Sequence, residues 1–181
     1  VRSRGLGDVY KRQGLNVNAS SIFDIHEPIL EHIKNGVVTG LECNYMGGKV
    51  GRAISQGILE RPVVFRSHGG RAGDMENGSS KVDIAFIAAP CADCMGNLSG
   101  KYGPSACGSM GYAFSDAMHA KKVVALTDNL VPYPLRDTSI AEGYIDHVVE
   151  VEQIGDPTKI VSGTTKITRD PVGLRIAGLA A

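Results

Sequence analysis

Two cysteines three positions apart, Cys91 and Cys94, are the first residues in the sequence that could do chemistry. Such a pair is typical of zinc sites, but a structural zinc site needs four ligands and the chain has no second C-x-x-C motif. A redox-active pair should open a helix, whose N-terminus lowers the thiol pKa. Here Pro90 precedes the pair and the turn-forming Gly96-Asn97 follows it. We therefore predict that these thiols bind no metal and have no redox function.

A second candidate is the stretch Ser67-His68-Gly69-Gly70, which comes directly after an apolar run. Two glycines let backbone N–H groups approach a ligand closely, and such groups bind carboxylates, phosphates or a developing oxyanion. The hydroxyl and the imidazole add two further polar groups. A glycine-rich turn without a ligand is the alternative, and both interpretations stay open. A serine hydrolase is not indicated, because the G-x-S-x-G motif is absent.

A third candidate is Cys107-Gly108-Ser109, where small residues stand near the predicted start of a helix. The N-terminus of a helix favours an anion, because its first N–H groups lack partners and the helix dipole is positive there. Small residues at this place are equally consistent with close packing of the helix on a sheet. Both interpretations stay open here as well.

These candidates must be positioned by strands and helices that alternate along the chain. Apolar or β-branched runs predict buried strands at residues 15–19, 37–43, 62–67, 82–89, 122–128 and 147–152. Segments with helical spacing lie at 20–36, 49–59, 109–120 and 171–181. We predict an α/β fold, with a mainly parallel sheet and helices on both faces. Ligands of such sheets bind outside the carboxyl ends of the strands, where the candidates lie.

The helical segments carry their own boundary signals. Pro28 suits a first turn, Gly36 a C-terminal stop, and Asp170 before Pro171 a cap and first turn. The predicted apolar faces are Ile25, Ile29, Leu30 and Ile33 in the first helix and Met110, Phe114 and Met118 in the third.

Composition is that of an ordinary globular protein. The chain has 181 residues, of which 43% are hydrophobic and 21% charged, with 19 basic and 19 acidic side chains. This balance gives no electrostatic reason to expect nucleic acid or an anionic membrane as a partner. No apolar run approaches the roughly 20 residues that a membrane-spanning helix needs. We predict a cytoplasmic protein with reduced thiols.

The first 13 residues, VRSRGLGDVYKRQ, differ from the rest. They hold four of the basic residues and one of the acidic ones and show no apolar periodicity. They resemble a translated adapter or assembly scar. We therefore assign residues 1–13 to a non-native scar and exclude them from the fold.

Longer segments resemble a known family. The segment VDIAFIAAPCADCMGN is similar to the D-x-A-(apolar)-x-A-x-x-A-D-x-x-G-N segment of the CoA-transferase superfamily, in which the two positions between Asp93 and Gly96 vary. Together with FRSHGGR, GPSACGSMGYAFSDAM, KVVALTDNLVPYPL and ITRDPVGLRIA, it resembles the citrate lyase alpha-subunit family from about Leu15 to Ala177. The resemblance implies a CoA-transferase-like fold. It places residues 14–181 in the latter part of the first of two halves, as an incomplete domain.

In that family the alpha subunit is a citrate CoA-transferase, which exchanges acetyl for citryl on a thiol. The thiol belongs to a CoA-like phosphoribosyl-dephospho-CoA arm on the gamma (acyl-carrier) subunit, and the beta subunit then cleaves the citryl thioester. The resemblance thus implies citrate and acetyl or citryl thioesters as substrates, beta and gamma subunits as partners, and no covalently bound cofactor on this chain. The implied substrate- or thioester-binding residues are Ser67, His68, Gly69, Gly70, Asp93, Gly96, Asn97, Cys107, Gly108 and Ser109. A nucleophilic glutamate in related two-domain enzymes belongs to the second half, so we assign no catalytic residue here.

One segment departs from the family pattern. Many members have an S-G-L-R-G-like loop after the second strand, whereas this chain has NYMGGKVG, with Gly47 at the arginine position. If that arginine binds a substrate carboxylate, another acid such as citramalate becomes an alternative substrate. A non-catalytic domain of the same fold that senses an anion or a sugar phosphate is a further alternative, since one fold hosts many functions.

Overall fold

The computed structural model describes residues 14–160 and 168–180, so the 13 residues assigned to a scar lie outside the described part. The chain divides into two compact units, one ending at Ser80 and the other beginning at Lys81. The assignment of residues 14–181 to one partial domain stays a prediction. The strands are β1 (Leu15–Asn18), β2 (Ser21–Ile22), β3 (Val38–Cys43), β4 (Tyr45–Met46), β5 (Val64–Phe65), β6 (Ile84–Ala88), β7 (Cys91–Asp93), β8 (Leu98–Ser99), β9 (Lys122–Thr127), β10 (Leu130–Val131) and β11 (His147–Glu150). The helices are α1 (Ile29–Lys34), α2 (Gly48–Ser55), α3 (His68–Glu76), α4 (Gly111–His119) and α5 (Pro171–Ala180).

The first unit is built on a parallel sheet with the strand order β1-β3-β5. A second small parallel pair joins β2 to β4. The core of this unit is a cluster of buried apolar side chains from the strands, α1, α2 and the connection after α2, namely Ile22, Ile33, Val38, Leu41, Cys43, Val50 and Leu59. Because the strands are parallel, the residues that follow β1, β3 and β5 all lie at the same edge of the sheet.

The second unit is built on a parallel sheet with the order β11-β9-β6. A further sheet has the order β10-β7-β8, in which β7 and β8 run antiparallel. Side chains of β6 and β9 pack with α4 and the surrounding loops in a core that includes Ala85, Ile87, Leu98, Ala117, Val123, Ala125 and Ile140. The predicted mixed α/β fold with mainly parallel pairing is confirmed.

Two predicted helix faces are confirmed in part, since Ile29, Leu30 and Ile33 of the first and Met110 of the third lie in or against the cores. Ile25 is 80% exposed, because α1 begins only after Pro28 and a separate 3₁₀ turn precedes it. In α4 the buried side chain is Ala117, whereas Phe114 and Met118 are exposed by 39% and 45%. Helical spacing therefore identified part of each packed face and failed at Ile25, Phe114 and Met118.

Among the described residues, no helix is both long enough and apolar enough to cross a membrane.

Candidate functional site

Residues Ser67 to Gly70 lie at the carboxyl end of β5 and form the first turn of α3. Ser67 is the N-cap residue of this helix, and its Oγ accepts a hydrogen bond from the N–H of Gly70 at 3.0 Å. A Cβ on Gly70 would stand only 2.8 Å from that Oγ, so a side chain here would disturb the cap. A Cβ on Gly69 would have no atom within 4 Å. The glycine-rich turn is therefore a capped helix start with open space beside Gly69.

The backbone N–H groups of this helix start are used within the helix to different extents. The N–H groups of Gly70 and Arg71 bond to the side chain and carbonyl of Ser67, whereas those of His68 and Gly69 precede any intrahelical acceptor. The helix dipole adds partial positive charge at this end. His68, Gly69 and Gly70 are all exposed. A ligand at Ser67–Gly70 stays a prediction, and the geometry is compatible with a carboxylate or an oxyanion.

An amide that the sequence patterns did not identify lies beside this turn. Nδ2 of Asn44, the residue after β3, is 3.1 Å from Nδ1 of His68. The two residues are 24 positions apart and meet only because β3 and β5 are neighbours in the sheet. No spacing rule within one element could have found this contact.

A charged network fixes α3 on the sheet. The guanidinium of Arg66 bonds to the carboxylate of Glu42 on β3, and its Nε is 2.6 Å from Oδ2 of Asp74 on α3. The hydrogen bond to Asp74 raises the pKa of Arg66 above its ordinary value. The buried Arg71 donates from Nε to Oδ1 of Asn18 at 2.9 Å. These bonds join α3 to β1 and β3 and hold its N-terminus in place.

In the second unit, Asp93 organises the loop that follows β7. It is fully buried, and its Oδ1 accepts the N–H groups of Met95, Gly96 and Asn97, each at 3.0 Å. Its Oδ2 accepts from the side chain of Asn97 and from the N–H of Leu135, both at 2.9 Å. Burial alone would raise the pKa of this carboxyl, but these bonds outweigh it and lower the pKa below the ordinary value.

The Asp93 loop continues through Gly96 and Asn97. Gly96 has a φ of +104°, a conformation that favours glycine, and the side chain of Asn97 also bonds to Glu142 at 3.0 Å. The structure thus gives Asp93, Gly96 and Asn97 a role in holding the loop. Their direct contact with a substrate stays a prediction.

Cys107, Gly108 and Ser109 lie in the loop before α4 rather than on the helix itself. The N–H groups of Cys107 and Gly108 both donate to the carbonyl of Gly100 at 2.9 Å. Burial raises the pKa of the Cys107 thiol, so the neutral thiol is favoured. Ser109 is exposed. A ligand-binding role of these three residues stays a prediction, in which Ser109 offers the accessible group.

A buried polar contact joins the same loop to the end of β9. Ser105 is 1% exposed and donates from Oγ to Oδ2 of Asp128 at 3.0 Å. The N–H of Ile154 donates to the same oxygen at 3.2 Å. This contact holds the loop at the carboxyl end of the sheet β11-β9-β6.

The two cysteines of the C-x-x-C motif differ in environment. Cys91 is buried in β7, where burial raises its thiol pKa, whereas Cys94 is exposed in the turn that follows. Within residues 14–160 and 168–180 there is no group of three side chains that could hold a metal ion. The predicted absence of a metal stays a prediction for experiment.

Comparison with known proteins relates these features to one family. The family described as "Citrate lyase, alpha subunit (CitF)" matches residues 9–181. The citrate lyase alpha chain of Klebsiella pneumoniae is 46% identical over 167 residues, and that of Haemophilus influenzae is 47% identical over 165. These alignments cover 92% and 91% of this chain but 33% of each relative. The chain therefore spans about a third of the length of the curated relatives it matches.

Solved structures agree. The crystal structure of a citrate lyase alpha subunit from Streptococcus mutans in complex with citrate matches 93% of this chain and 33% of its own, with a TM-score of 0.80 and 46% identity. A malonate decarboxylase alpha subunit from Acinetobacter baumannii, at 18% identity and a TM-score of 0.55, shares the fold alone. With a family match over almost its whole length, the chain belongs to the citrate lyase alpha-subunit family.

Proposed function

We propose that this chain is part of a citrate CoA-transferase, which converts citrate and an acetyl thioester into a citryl thioester and acetate. The observation that carries this proposal is the 46% identity to an alpha subunit whose crystal structure contains citrate. In this proposal the thiol belongs to a phosphoribosyl-dephospho-CoA arm on an acyl-carrier gamma subunit. A beta subunit cleaves the product, and the complex works in the cytoplasm.

The proposed reaction needs stabilisation of an oxyanion more than it needs a general base. A citrate carboxylate attacks the acetyl thioester carbonyl, giving a mixed anhydride and a thiolate. The thiolate then attacks the citryl carbonyl and acetate leaves. Both steps pass through an oxyanion, which preorganised N–H donors stabilise. The N-terminus of α3, with the exposed Gly69 and a backbone held by Ser67 and Arg66, suits this role.

The 181-residue chain should have no transferase activity by itself. It covers about a third of its relatives, and no nucleophile is assigned to it. The test measures citryl thioester formation from citrate and acetyl-CoA by the chain alone, by a full-length alpha subunit and by the chain mixed with the remaining two thirds. We expect turnover by the full-length subunit and some recovery in the mixture. Turnover by the chain alone would contradict the proposal that the site needs residues outside it.

The Gly47 position favours one second candidate, a transferase for another carboxylic acid such as citramalate. A Cβ on Gly47 would lie 2.6 Å from the hydroxyl of Tyr45, so a tyrosine hydroxyl occupies the space where an arginine side chain would begin. Comparing kcat/KM for citrate and citramalate in the full-length subunit separates the two. A ratio above about 10 in favour of one acid identifies it as the substrate, since one contact is worth about that much or more.

A further inference from the structure

The contact between Asn44 and His68 determines which ring nitrogen of the histidine carries the proton. Nδ2 of Asn44 faces Nδ1 of His68 at 3.1 Å, and Oδ1 of Asn44 is buried without a hydrogen-bond partner in the part of the chain that the structure describes. The reversed amide would bury the two N–H donors instead. Unsatisfied buried donors are rarer than unsatisfied buried carbonyl oxygens. The amide therefore donates from Nδ2, and Nδ1 of the imidazole accepts.

Backbone hydrogen bonds hold both residues of this contact in place. The N–H of Asn44 donates to the carbonyl of Ser20 at 2.9 Å, which holds the start of the β3–α2 connection. On the other side, the N–H of Arg66 donates to the carbonyl of Cys43 at 3.0 Å, and Ser67 caps the helix that His68 opens. The contact is therefore a consequence of the sheet register.

We propose that Asn44 is a positioning residue, which holds His68 as the Nε2–H tautomer so that the ring acts as a hydrogen-bond donor and not as a general base. A neutral imidazole whose Nδ1 accepts a hydrogen bond carries its proton on Nε2. Any contact between His68 and a ligand then uses Nε2–H. On the proposed function, on which this inference rests, the recipient is a substrate carboxylate or the oxyanion of the thioester carbonyl, at the exposed N-terminus of α3.

The tautomer can be measured without any enzymatic assay. The 181-residue chain is labelled with ¹⁵N-histidine, and ring signals are recorded at about pH 8.5, where neutral imidazoles predominate. The His68 signals are identified by their loss in His68→Gln. We expect the Nε2–H pattern in the unchanged chain and the Nδ1–H pattern in Asn44→Asp, because a carboxylate can only accept from the ring.

The matched control is Asn77→Asp, at the other end of α3. Its side chain accepts the N–H of Ser79 at 2.9 Å, which a carboxylate can also do, so the same charge is added without touching His68. This variant should keep the Nε2–H pattern. An Nδ1–H pattern in the unchanged chain would overturn the inference, and so would the same pattern in the chain and in folded Asn44→Asp.

Turnover tests the functional half of the inference. In a full-length subunit containing this segment, Asn44→Asp should lower kcat/KM about 100-fold or more, as loss of an oxyanion donor does. Asn44→Ala, which frees the ring without reversing it, should lose less, and Asn77→Asp should stay near the unchanged enzyme. A reversed tautomer with normal turnover would overturn the catalytic role. Transferase inactivity of the unchanged full-length subunit would instead reject the proposed function and leave the tautomer assignment standing.

Discussion

At the scale of a single residue, substitution of Gly69 tests whether the N-terminus of α3 binds a ligand. Because a Cβ at this position would meet nothing within 4 Å, Gly69→Val should fold, and its side chain would fill the space that we propose for a ligand. We expect transferase turnover of the full-length enzyme to fall by roughly 100- to 1,000-fold, the typical effect of losing one oxyanion donor. Steady-state rates and far-UV circular dichroism measure the two effects separately.

The control for Gly69 lies one turn along the same helix. A Cβ on Gly73 would also meet no atom within 4 Å, so Gly73→Val brings the same change of helix propensity at a distance from the helix start. This variant should keep most of its turnover. Equal rates in the two folded variants would show that the turn at Ser67–Gly70 is structural.

Cys91 and Cys94 test the absence of a metal. One thiol is buried in β7 with a raised pKa and the other is exposed, so the two do not share a site that would favour thiolates. Elemental analysis of the purified protein should find less than one zinc per ten chains. Stoichiometric zinc that disappears in Cys94→Ser would contradict this prediction.

At the scale of elements, local signals predicted most of the long strands and the helix ends. The runs at 15–19, 37–43, 82–89 and 122–128 contain β1, β3, β6 and β9. Asp170 caps α5 as predicted, with its Oδ2 2.7 Å from the N–H of Gly173. These features depend on neighbouring residues, which a sequence pattern can register.

The features that the sequence did not predict depend on residues far apart in the chain or on residues with low helix propensity. Helix α3 was not predicted, because it contains Gly69, Gly70 and Gly73, which have low helix propensity. The N-cap Ser67 and the bonds of Arg66 stabilise this helix. The two-residue strands β2, β4, β8 and β10 have no periodicity to detect. The Asn44–His68 contact needs the sheet register, which no local pattern contains.

Asp93 tests the element that connects β7 to β8. Asp93→Asn would turn an amide nitrogen towards the donors of Asn97 and Leu135 and leave buried donors without an acceptor. We expect a loss of about 3 kcal/mol in the free energy of unfolding, measured with urea at pH 7. The matched control is Asp83→Asn, where loss of a mostly exposed ion pair with Lys121 should change the free energy of unfolding far less.

The stability difference between the unchanged chain and Asp93→Asn should depend on pH. The folded pKa of Asp93 lies below its ordinary value, so its carboxylate stabilises the fold at pH values above the unfolded pKa of about 3.9. That contribution is lost as the pH falls through the lower folded pKa. The stability difference between the unchanged chain and Asp93→Asn should therefore shrink below about pH 4. A difference that grows on acidification would contradict the direction of the shift.

At the scale of the whole molecule, one sheet face in the second unit has no cover in the described structure. Side chains of β6 alternate, so Ala85 and Ile87 face the core whereas Ile84 and Phe86 are exposed by 47% and 69%. The register of the sheet puts Val124 and Leu126 of β9 and Val149 of β11 on the same face as these exposed side chains. Parallel sheets are normally covered on both faces, because their strands are apolar on both.

We therefore expect a second copy of the chain to cover this face when the 181-residue chain is prepared alone. Exposed apolar side chains favour association even though Lys122 and His147 share this face, and β6 is also an edge strand of the described sheet. Phe86→Glu should shift the chain towards the monomer in sedimentation velocity at micromolar concentrations, without loss of stability, because the side chain is already exposed. Met95→Glu adds the same charge at a 57% exposed side chain in the turn after β7 and should leave association unchanged. A monomeric unchanged chain, or an equal shift in both variants, would show that this face does not drive association.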